Sequence, residues 1–345
     1  MKKLISLFLV LALLLGVLAV PAMAEETRTR TIGALSYLTM SEKEDDAIDF
    51  ALRQPLRKIL KLLGVLVREE KGGGPAKPVT QYYDTLNDLI LAMESGKLDD
   101  IVLPYYTARY LCATNDRMRM NMEYHPEKAT GVAAWALSLL SDGYSFLLKE
   151  ENTALRDEFD AQIIAMKEDG TLQKLIDEYI IKASEGGEPL AIEFEQFEGD
   201  PIKVGVTGDL PPMDYISADG SIAGFNTAVL AEIGKRLQKN IKLVQVYSAA
   251  RSMALSQGNV DVVFWTRGMS ENMTERRTAG VHLADIMAAS ADTLTEEVQA
   301  IFDQAAMPDQ ETIVKWIARD TPAESIITQP YFTDFTINVC LKDAP

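Results

Sequence analysis

The most regular pattern of apolar and polar positions lies within residues 201–276. An apolar run at 202–207 ends at a Gly-Asp-Leu-Pro-Pro turn and predicts a short strand. Apolar residues then recur at four-residue spacing from Phe225 to Leu237, which is typical of a helix that packs one face on a core. The pattern continues as strand, helix and strand over residues 241–247, 249–256 and 260–265. This order predicts a parallel sheet, and ligands of such sheets bind at the carboxyl ends of the strands.

An earlier part of the chain repeats this pattern. We predict a helix at 82–93 and a strand at 98–103, and the segment LAMESGKLDDIV at 91–102 parallels SMALSQGNVDVV at 252–263. A strand at 143–149 and a helix at 153–181, jointed at Gly170, come next. Two lobes of similar build account for the recurrence, and chance similarity of one short segment is the alternative.

Residues 1–24 have the pattern of a secretory signal peptide. Two lysines precede an apolar run at 4–20, and Ala-Met-Ala stands before the predicted cleavage site. A transmembrane anchor is the alternative, but the apolar run is short for a membrane span and ends at Pro21. The sequence has no Cys near the predicted cleavage site, so a lipid anchor is not indicated. We therefore expect a periplasmic or secreted protein.

Charge and composition exclude several classes of function. The formal net charge of −17 becomes −19 without the two lysines of the signal, which argues against nucleic acid and anionic membranes as partners. Hydrophobic residues, 47% of the chain, suffice for the cores of two lobes. His125 and His282 lie in unrelated contexts, and no Cys or His cluster has metal-ligand spacing, so we expect no metal and no cofactor. Cys112 and Cys340 allow either one disulfide or two buried thiols.

Several segments resemble the amino-acid type (family 3) solute-binding proteins of ABC importers. The segments VGVTGDLPPMDYISADGSIAGFN, SQGNVDVVF, TERR and QPYFTDFTINVCLKD look like the first lobe of that family, and TIGALSYLT and ESGKLDDIVLPYYTARYL look like its second lobe. The resemblance implies an α/β, two-lobed periplasmic-binding-protein-like (type II) fold. Each lobe would be a mainly parallel sheet flanked by helices, with the ligand cleft between the lobes.

These segments occur in a different order from that of the family. Residues 25–148 resemble the second lobe, 149–183 resemble the closing strand and helices, 184–200 form an acidic linker, and 201–345 resemble the first lobe with a helical insertion near 282–321. The resemblance therefore implies a circular permutation, in which the linker spans roughly 20 to 25 Å as a coil. A degenerate tandem of two truncated binding proteins is the alternative.

The resemblance also implies which residues contact the ligand. A family 3 protein holds the ligand's carboxylate with an Arg and hydroxyl groups after the third strand, and an Arg fork matches the two carboxylate oxygens. Arg276 in TERR matches that Arg, and Arg267 competes for the role because the spacing from Asp261 is longer than in the family. The other candidates are hydroxyl, aromatic and acidic side chains at predicted strand ends: Thr266, Ser270, Trp265, Tyr247, Tyr215, Asp209, Tyr37, Thr39 and Tyr105. Pro104 stands where the family has an amine-binding Asp, so an amine should matter less to this ligand.

Three functions are open at this point. The first is a monomeric binding protein that closes its lobes on a small polar, carboxylate-bearing solute and presents it to an ABC transporter permease or a membrane sensor. The second is an enzyme on the same fold, of the dehydratase or lytic transglycosylase kind, with Asp209 and Asp214 as candidate acid and base, although both residues also suit a turn. The third is a degenerate module that no longer binds a ligand. Stabilisation by a small solute would separate the first from the third, and product formation would identify the second.

Overall fold

The computed structural model describes residues 30–38, 43–68, 79–267, 295–304 and 322–343. It contains two mainly parallel sheets, each flanked by helices, which confirms the prediction of a two-lobed α/β fold. The predicted signal peptide and most of the proposed insertion near 282–321 lie outside the described residues.

The first sheet has five strands. Numbered in chain order, they are β1 Thr31–Leu35, β3 Val79–Tyr83, β4 Asp100–Pro104, β5 Met118–Met120 and β16 Thr336–Leu341. Their order across the sheet is β3-β1-β4-β16-β5. β1 pairs in parallel with β3 and β4, whereas β16 runs antiparallel to β4 and β5. The last of these strands in sequence is therefore an interior strand of the sheet.

Helices and one small sheet cover the first sheet. The helices are α1 Lys43–Leu62, α2 Leu86–Glu94, α3 Tyr105–Thr114 and α4 Gly131–Leu140, and β2 Leu66–Arg68 pairs with β6 Met122–Tyr124. The prediction of a helix from residue 82 is wrong, because residues 82 and 83 pair with β1 as part of β3. The helix starts later because Thr85 caps it: its side-chain oxygen accepts a hydrogen bond from the Asp88 amide at 3.1 Å.

The second sheet has six strands. They are β7 Asp142–Lys149, β8 Ile202–Val206, β12 Ile241–Gln245, β13 Val262–Arg267, β14 Ser325–Ile327 and β15 Phe332–Asp334. The order is β12-β8-β13-β7-β14, and β15 also pairs with β7. β8, β12 and β13 are parallel, and β7 is antiparallel to β13. The predicted third strand thus begins and ends two residues later than expected, so that Thr266 and Arg267 belong to it.

We call the lobe built on the five-stranded sheet the first lobe and the lobe built on the six-stranded sheet the second lobe, in chain order; they correspond to the segments that resemble the family's second and first lobes, respectively. The second lobe also contains a small antiparallel sheet and four helices. The short strands are β9 Asp209–Leu210, β10 Asp214–Ile216 and β11 Ile222–Ala223. The helices are α5 Thr153–Glu168, α6 Thr171–Ile176, α7 Phe225–Leu237 and α8 Arg251–Ser256. α6 continues through a π-helical turn at Asp177–Ile181 and a last turn at Lys182–Ser184. A further helix, α9 Thr295–Asp303, packs on α1 of the first lobe. The predicted joint at Gly170 is confirmed, since this residue has a φ of 76° between α5 and α6. Both α5 and α6 pack on α7.

Two strands carry the chain between the lobes. β7 follows α4 of the first lobe and joins the second sheet, and β15 pairs with β7 before the chain enters β16 of the first sheet. The sequence-based boundary at residue 148 therefore falls inside β7, whose hydrogen bonds to β13 place it with the second sheet from Asp142 onward. Each sheet takes strands from both sides of residues 184–200, so these two parts are not the separately closed proteins of the tandem alternative.

The predicted acidic linker is attached to the second lobe along part of its length. Asn240, beside β12, donates from Nδ2 to the carbonyl oxygens of Phe197 at 2.7 Å and Gly199 at 2.9 Å. Its Oδ1 accepts from the Phe197 amide at 2.7 Å. The Leu190 amide donates to Glu178 Oε1 at 2.8 Å. This irregular segment is therefore bound to the protein surface along part of its length.

Both cysteines are present as thiols, and the structure does not join them by the disulfide that the sequence left open. Cys340 is buried in β16, and Cys112 is half-buried in α3.

Candidate functional site

Strand ends of the two sheets meet where the lobes face each other. Tyr37 follows β1 of the first sheet, and Asp209 lies just after β8 of the second. The Tyr37 hydroxyl donates to Asp209 Oδ1 at 3.0 Å, and the Ser248 hydroxyl, after β12, lies 3.5 Å from the same oxygen. This polar cluster occupies the carboxyl ends of parallel strands, which is where such sheets bind their ligands.

Arg251 is the buried cation of this cluster, with 5% of its surface exposed. Its nitrogens donate to three carbonyl oxygens: Nε to Ser248 at 3.1 Å, Nη1 to Phe264 at 2.8 Å and Nη2 to Tyr37 at 3.0 Å. The bond to Tyr37 joins the two lobes. Among the residues that the structure describes, no carboxylate forms an ion pair with Arg251.

Two aromatic rings enclose the Arg251 guanidinium. Its Cζ lies 5.1 Å from the centroid of the Tyr37 ring and 5.0 Å from that of the Trp265 ring, both within the range of a cation–π contact. Tyr37 belongs to the first lobe and Trp265 to β13 of the second. Both rings were predicted to contact a ligand, and in this structure they contact a side chain of the protein itself. Their contact with a solute stays a prediction.

Burial determines the protonation of this cluster. It lowers the pKa of Arg251, an effect opposed by the nearby Tyr37, Asp214 and Asp209, and a guanidinium stays charged under such conditions. Burial, and then the neighbouring Asp209, raises the pKa of Tyr37 well above its usual value. Tyr37 is therefore a neutral hydrogen-bond donor, and the cluster has one fixed cation.

Asp214 holds the turn that carries Asp209. Its carboxylate accepts from the Thr207 amide at 2.8 Å, the Thr207 hydroxyl at 3.0 Å and the Gly208 amide at 3.1 Å. Burial raises the pKa of Asp214 to about 6, although these hydrogen bonds act in the opposite direction. Its contacts are thus those of the turn-forming residue that the sequence favoured over a catalytic acid.

The remaining aromatic candidates occupy three different environments. Tyr215 in β10 lies 6.3 Å, between ring centroids, from Tyr110 of α3, so this pair is a second contact between the lobes. Tyr247 is 86% exposed. Tyr105 is buried, with its ring stacked on Phe335 at 5.2 Å. Their roles as ligand contacts stay predictions, and the burial of Tyr105 does not favour one.

Of the five remaining predicted contacts, two are described and three are not. Thr266 is half-buried in β13, and Arg267 is the last residue of that strand, paired through its backbone with Gly143. Thr39, Ser270 and Arg276 lie outside the described residues. Their roles stay predictions.

Sequence reasoning missed Arg251, Ser248 and Tyr110. A signal for Arg251 was present, because it lies on the buried face of α8 with Ala254 and Leu255, at positions i, i+3 and i+4. Arginine is rarely buried unless it is paired, so an arginine in an apolar stripe indicates a special environment. Tyr110 and Ser248 carried no comparable signal.

Within the described residues, no group of His, Cys, Asp and Glu side chains could hold a metal ion. The described helices include none that is long and apolar enough to cross a membrane.

Comparison with known proteins gives one family match and a set of distant structures. Residues 202–316 match the family described as bacterial extracellular solute-binding proteins, family 3. That match extends into the region that we treated as an insertion. No curated protein matches the chain.

Three solved structures illustrate the distant similarities. A zinc-bound ligand-binding component of an ABC-type import system from Staphylococcus aureus is 10% identical, with a TM-score of 0.36, over 91% of this chain and 66% of that one. The GluR0 ligand-binding core from Nostoc punctiforme, in complex with L-glutamate, is 7% identical, with a TM-score of 0.33, over 92% and 86%. A glutathione-bound ABC transporter periplasmic binding protein from Brucella ovis is 9% identical, with a TM-score of 0.36, over 91% and 62%.

The chain therefore spans just under two thirds of the length of the Staphylococcus aureus protein. All three similarities are too low to carry an argument, so the informative comparison is the family match. Residues 202–316, about a third of the chain, are thus similar to the bacterial extracellular solute-binding proteins of family 3.

Proposed function

We propose that this protein binds a small polar solute bearing a carboxylate, an amino acid or a related compound, outside the cytoplasm and presents it to an ABC importer permease or a membrane sensor. The observation that carries the proposal is the meeting of strand ends from the two sheets at Tyr37, Asp209 and Ser248. Lobe closure would then enclose the solute, as a cleft between lobes must open for entry. The family match supports a binding protein rather than an enzyme.

The carboxylate would be held at the end of β13. Trp265, Thr266 and Arg267 are consecutive there, and Ser270 and Arg276 follow in sequence. A guanidinium that makes two parallel hydrogen bonds to a carboxylate in a dry cleft is costly to remove, on the order of 2 to 5 kcal/mol, because the anion stays buried and unpaired. We assign this role to Arg276 or Arg267.

An amine on the solute would contribute less. Pro104, the last residue of β4, stands where the resemblance to family 3 implies an amine-binding Asp, and the neighbouring Tyr105 is buried in an aromatic cluster. The described residues at the lobe boundary offer Asp209, whose Oδ1 already accepts from Tyr37. A carboxylic acid without an amine should therefore bind about as well as the matching amino acid.

Thermal unfolding in the presence of matched pairs tests this proposal. Each pair is an α-amino acid and the acid that lacks its amine, for example L-glutamate and glutarate. We expect both members of one pair to raise the melting temperature by similar amounts. A panel in which no member stabilises the protein would contradict solute binding of this class, and appearance of a reaction product would indicate an enzyme instead.

Calorimetry with the stabilising compound then tests the carboxylate site. Either Arg276→Ala or Arg267→Ala should weaken binding at least about tenfold. Arg236→Ala is the matched control, since the Arg236 guanidinium contacts Glu232 and Asp169 within the second lobe. If both cleft variants bind as the parent does, the anion site lies elsewhere.

Small-angle scattering tests lobe closure. A saturating concentration of the same compound should reduce the radius of gyration, because closure makes the particle more compact. An unchanged radius would contradict closure by the solute.

A further inference from the structure

The contact between Arg251 and the opposite lobe is built like a small binding site for a cation. The guanidinium lies against the faces of Tyr37 and Trp265, and three carbonyl oxygens accept its hydrogen bonds. Aromatic faces and carbonyl oxygens are the groups that bind an organic cation without neutralising it. The cation in this site is a side chain of the protein.

The two lobes contribute different parts of this site. The second lobe supplies Arg251 itself, the Trp265 ring and the carbonyls of Ser248 and Phe264. The first lobe supplies one carbonyl and one ring, both from Tyr37. Separation of the lobes would remove both of the latter groups from a buried charge. Because Asp209 also accepts from the Tyr37 hydroxyl, Tyr37 is held to the second lobe by three contacts.

We propose that Arg251 acts as a built-in ligand, which occupies a guanidinium site between Tyr37 and Trp265 and stabilises the closed arrangement of the lobes, so that part of the population is closed before a solute binds. The proposal rests on the lobe motion of the proposed function. A solute that binds beside this contact shifts the remaining open population toward closure, and it can do so only by its difference in affinity for the two states.

This arrangement has a consequence for solute specificity. The two rings are already occupied by a cation, so they are not available to a positively charged group of the solute. Removal of the Arg251 side chain beyond Cβ should leave a space of the size and chemistry of ethylguanidinium. The site in an Arg251→Ala variant should therefore accept that compound.

The test compares the full-length protein with Arg251→Ala by small-angle scattering and calorimetry, without solute. We expect the variant to have a larger radius of gyration than the wild type. Millimolar ethylguanidinium should restore the compact radius, and it should bind the variant at least about tenfold more tightly than the wild type. Arg236→Ala is the control, because the Arg236 side chain contacts Glu232, Asp169 and Thr171, all in the second lobe. It should neither expand the particle nor respond to ethylguanidinium.

A second variant tests the contact from the other lobe. Tyr37→Ala removes the ring and the hydroxyl from a turn and leaves Arg251 in place, so it should expand the particle even if Arg251→Ala does not fold. Tyr83→Ala is its control, since the Tyr83 hydroxyl donates to Gln81 of the same strand. If Tyr37→Ala and a folded Arg251→Ala both keep the wild-type radius, the proposal is wrong. Absence of ethylguanidinium binding to folded Arg251→Ala would also overturn it.

The outcome is separable from the proposed function. Compaction of the wild type by a carboxylate solute, together with unchanged radii for both variants, would overturn the inference and support solute binding. Expansion of both variants in a protein that no solute stabilises would support the contact and contradict the binding of that class of solute.

Discussion

Asp214 is a buried carboxylate whose ionisation should affect stability. Burial raises its pKa from 3.8 to about 6 in the folded protein. The Asp214 carboxyl group therefore ionises at a lower pH in the unfolded chain than in the folded protein. Between pH 3.8 and about 6, the folded state binds more protons than the unfolded state. The stabilisation is therefore fully present below pH 3.8 and is lost as the pH rises through about 6, which amounts to on the order of 3 kcal/mol.

Urea denaturation of the wild type and of Asp214→Asn on both sides of this pH window measures the effect. Asn has nearly the same shape and does not titrate, so the decrease in unfolding free energy should be smaller in the variant by roughly that amount. In the variant an amide NH2 replaces one of the two acceptor oxygens, so either Thr207 or Gly208 loses its acceptor, which lowers the stability at every pH without altering the slope. Equal slopes for the two proteins would exclude Asp214 as the titrating group.

Gly224 is required by its conformation and by its neighbours. Its φ is 109°, and an added Cβ would lie 2.6 Å from the Met213 carbonyl oxygen and 2.8 Å from that of Pro212. Gly224→Ala should therefore lower the unfolding free energy by at least about 2 kcal/mol. Gly220→Ala is the matched control, because Gly220 has a φ of 85° and an added Cβ would meet nothing within 4 Å. Its unfolding free energy should fall by only about 1 kcal/mol. Similar losses in the two variants would show that the close contact adds nothing.

At the scale of elements, sequence patterns predicted the second lobe better than the first. The apolar runs of β8 and β12 and the four-residue spacing of α7 follow directly from burial on one side or both. β3 was missed because Val79–Tyr83 is an edge strand with an exposed first residue and hydroxyl-rich side chains, so it lacks the apolar run of an interior strand. The attachment of the linker does not follow from its acidic composition, because it depends on Asn240, which lies in another part of the sequence.

Asn240 gives a prediction for that linker. Its side chain satisfies one amide and two carbonyl groups of residues 197–199, so Asn240→Ala should release this part of the linker and cost about 1 to 3 kcal/mol. Hydrogen exchange at the Phe197 amide should become much faster. Asn259→Ala is the control, because the Asn259 side chain bonds only to the exposed Gln257 side chain. Unchanged exchange in Asn240→Ala would mean that other contacts hold the linker.

At the scale of the whole molecule, the circular permutation that the resemblance implied stays a prediction. The site was less predictable than the fold: strand ends locate it in general, but Arg251 meets Tyr37 only because two distant lobes face each other. No local pattern records a contact across 214 residues. The positions of Tyr37 and Trp265 near strand ends predicted their place in the site, but the sequence did not predict that the Arg251 side chain lies between their rings.

The strand register gives a geometric basis for the permutation. Ile32 pairs with Asp100, and Val339 pairs with Ile101, so Cys340 lies beside Asp100 on the other side of β4. Adjacent strands are about 4.8 Å apart, which puts the backbones of Ile32 and Cys340 roughly 10 Å apart. A connection of about four residues is long enough to cover this distance.

A chain reconnected in this way should fold. We expect a variant that joins Lys342 to Arg30 through a short Gly/Ser linker, with new ends within residues 185–195, to unfold cooperatively and to keep the wild-type circular dichroism spectrum. The same reconnection with the new ends inside β7 is the control, and it should not fold because β7 is an interior strand. Failure of the first variant alone would argue that residues 185–195 are needed as a covalent connection.

The sharing of strands between lobes has a further consequence during synthesis on the ribosome. The first sheet lacks its interior strand β16 until residues 336–341 have been synthesised. In the same way, β7 cannot pair with β13 until residues 262–267 have been synthesised. A nascent chain that ends before residue 322 would expose the unpaired edges of β4 and β5. Neither lobe can therefore finish folding as an early, separate unit, and the protein should depend on holding factors until translation is nearly complete.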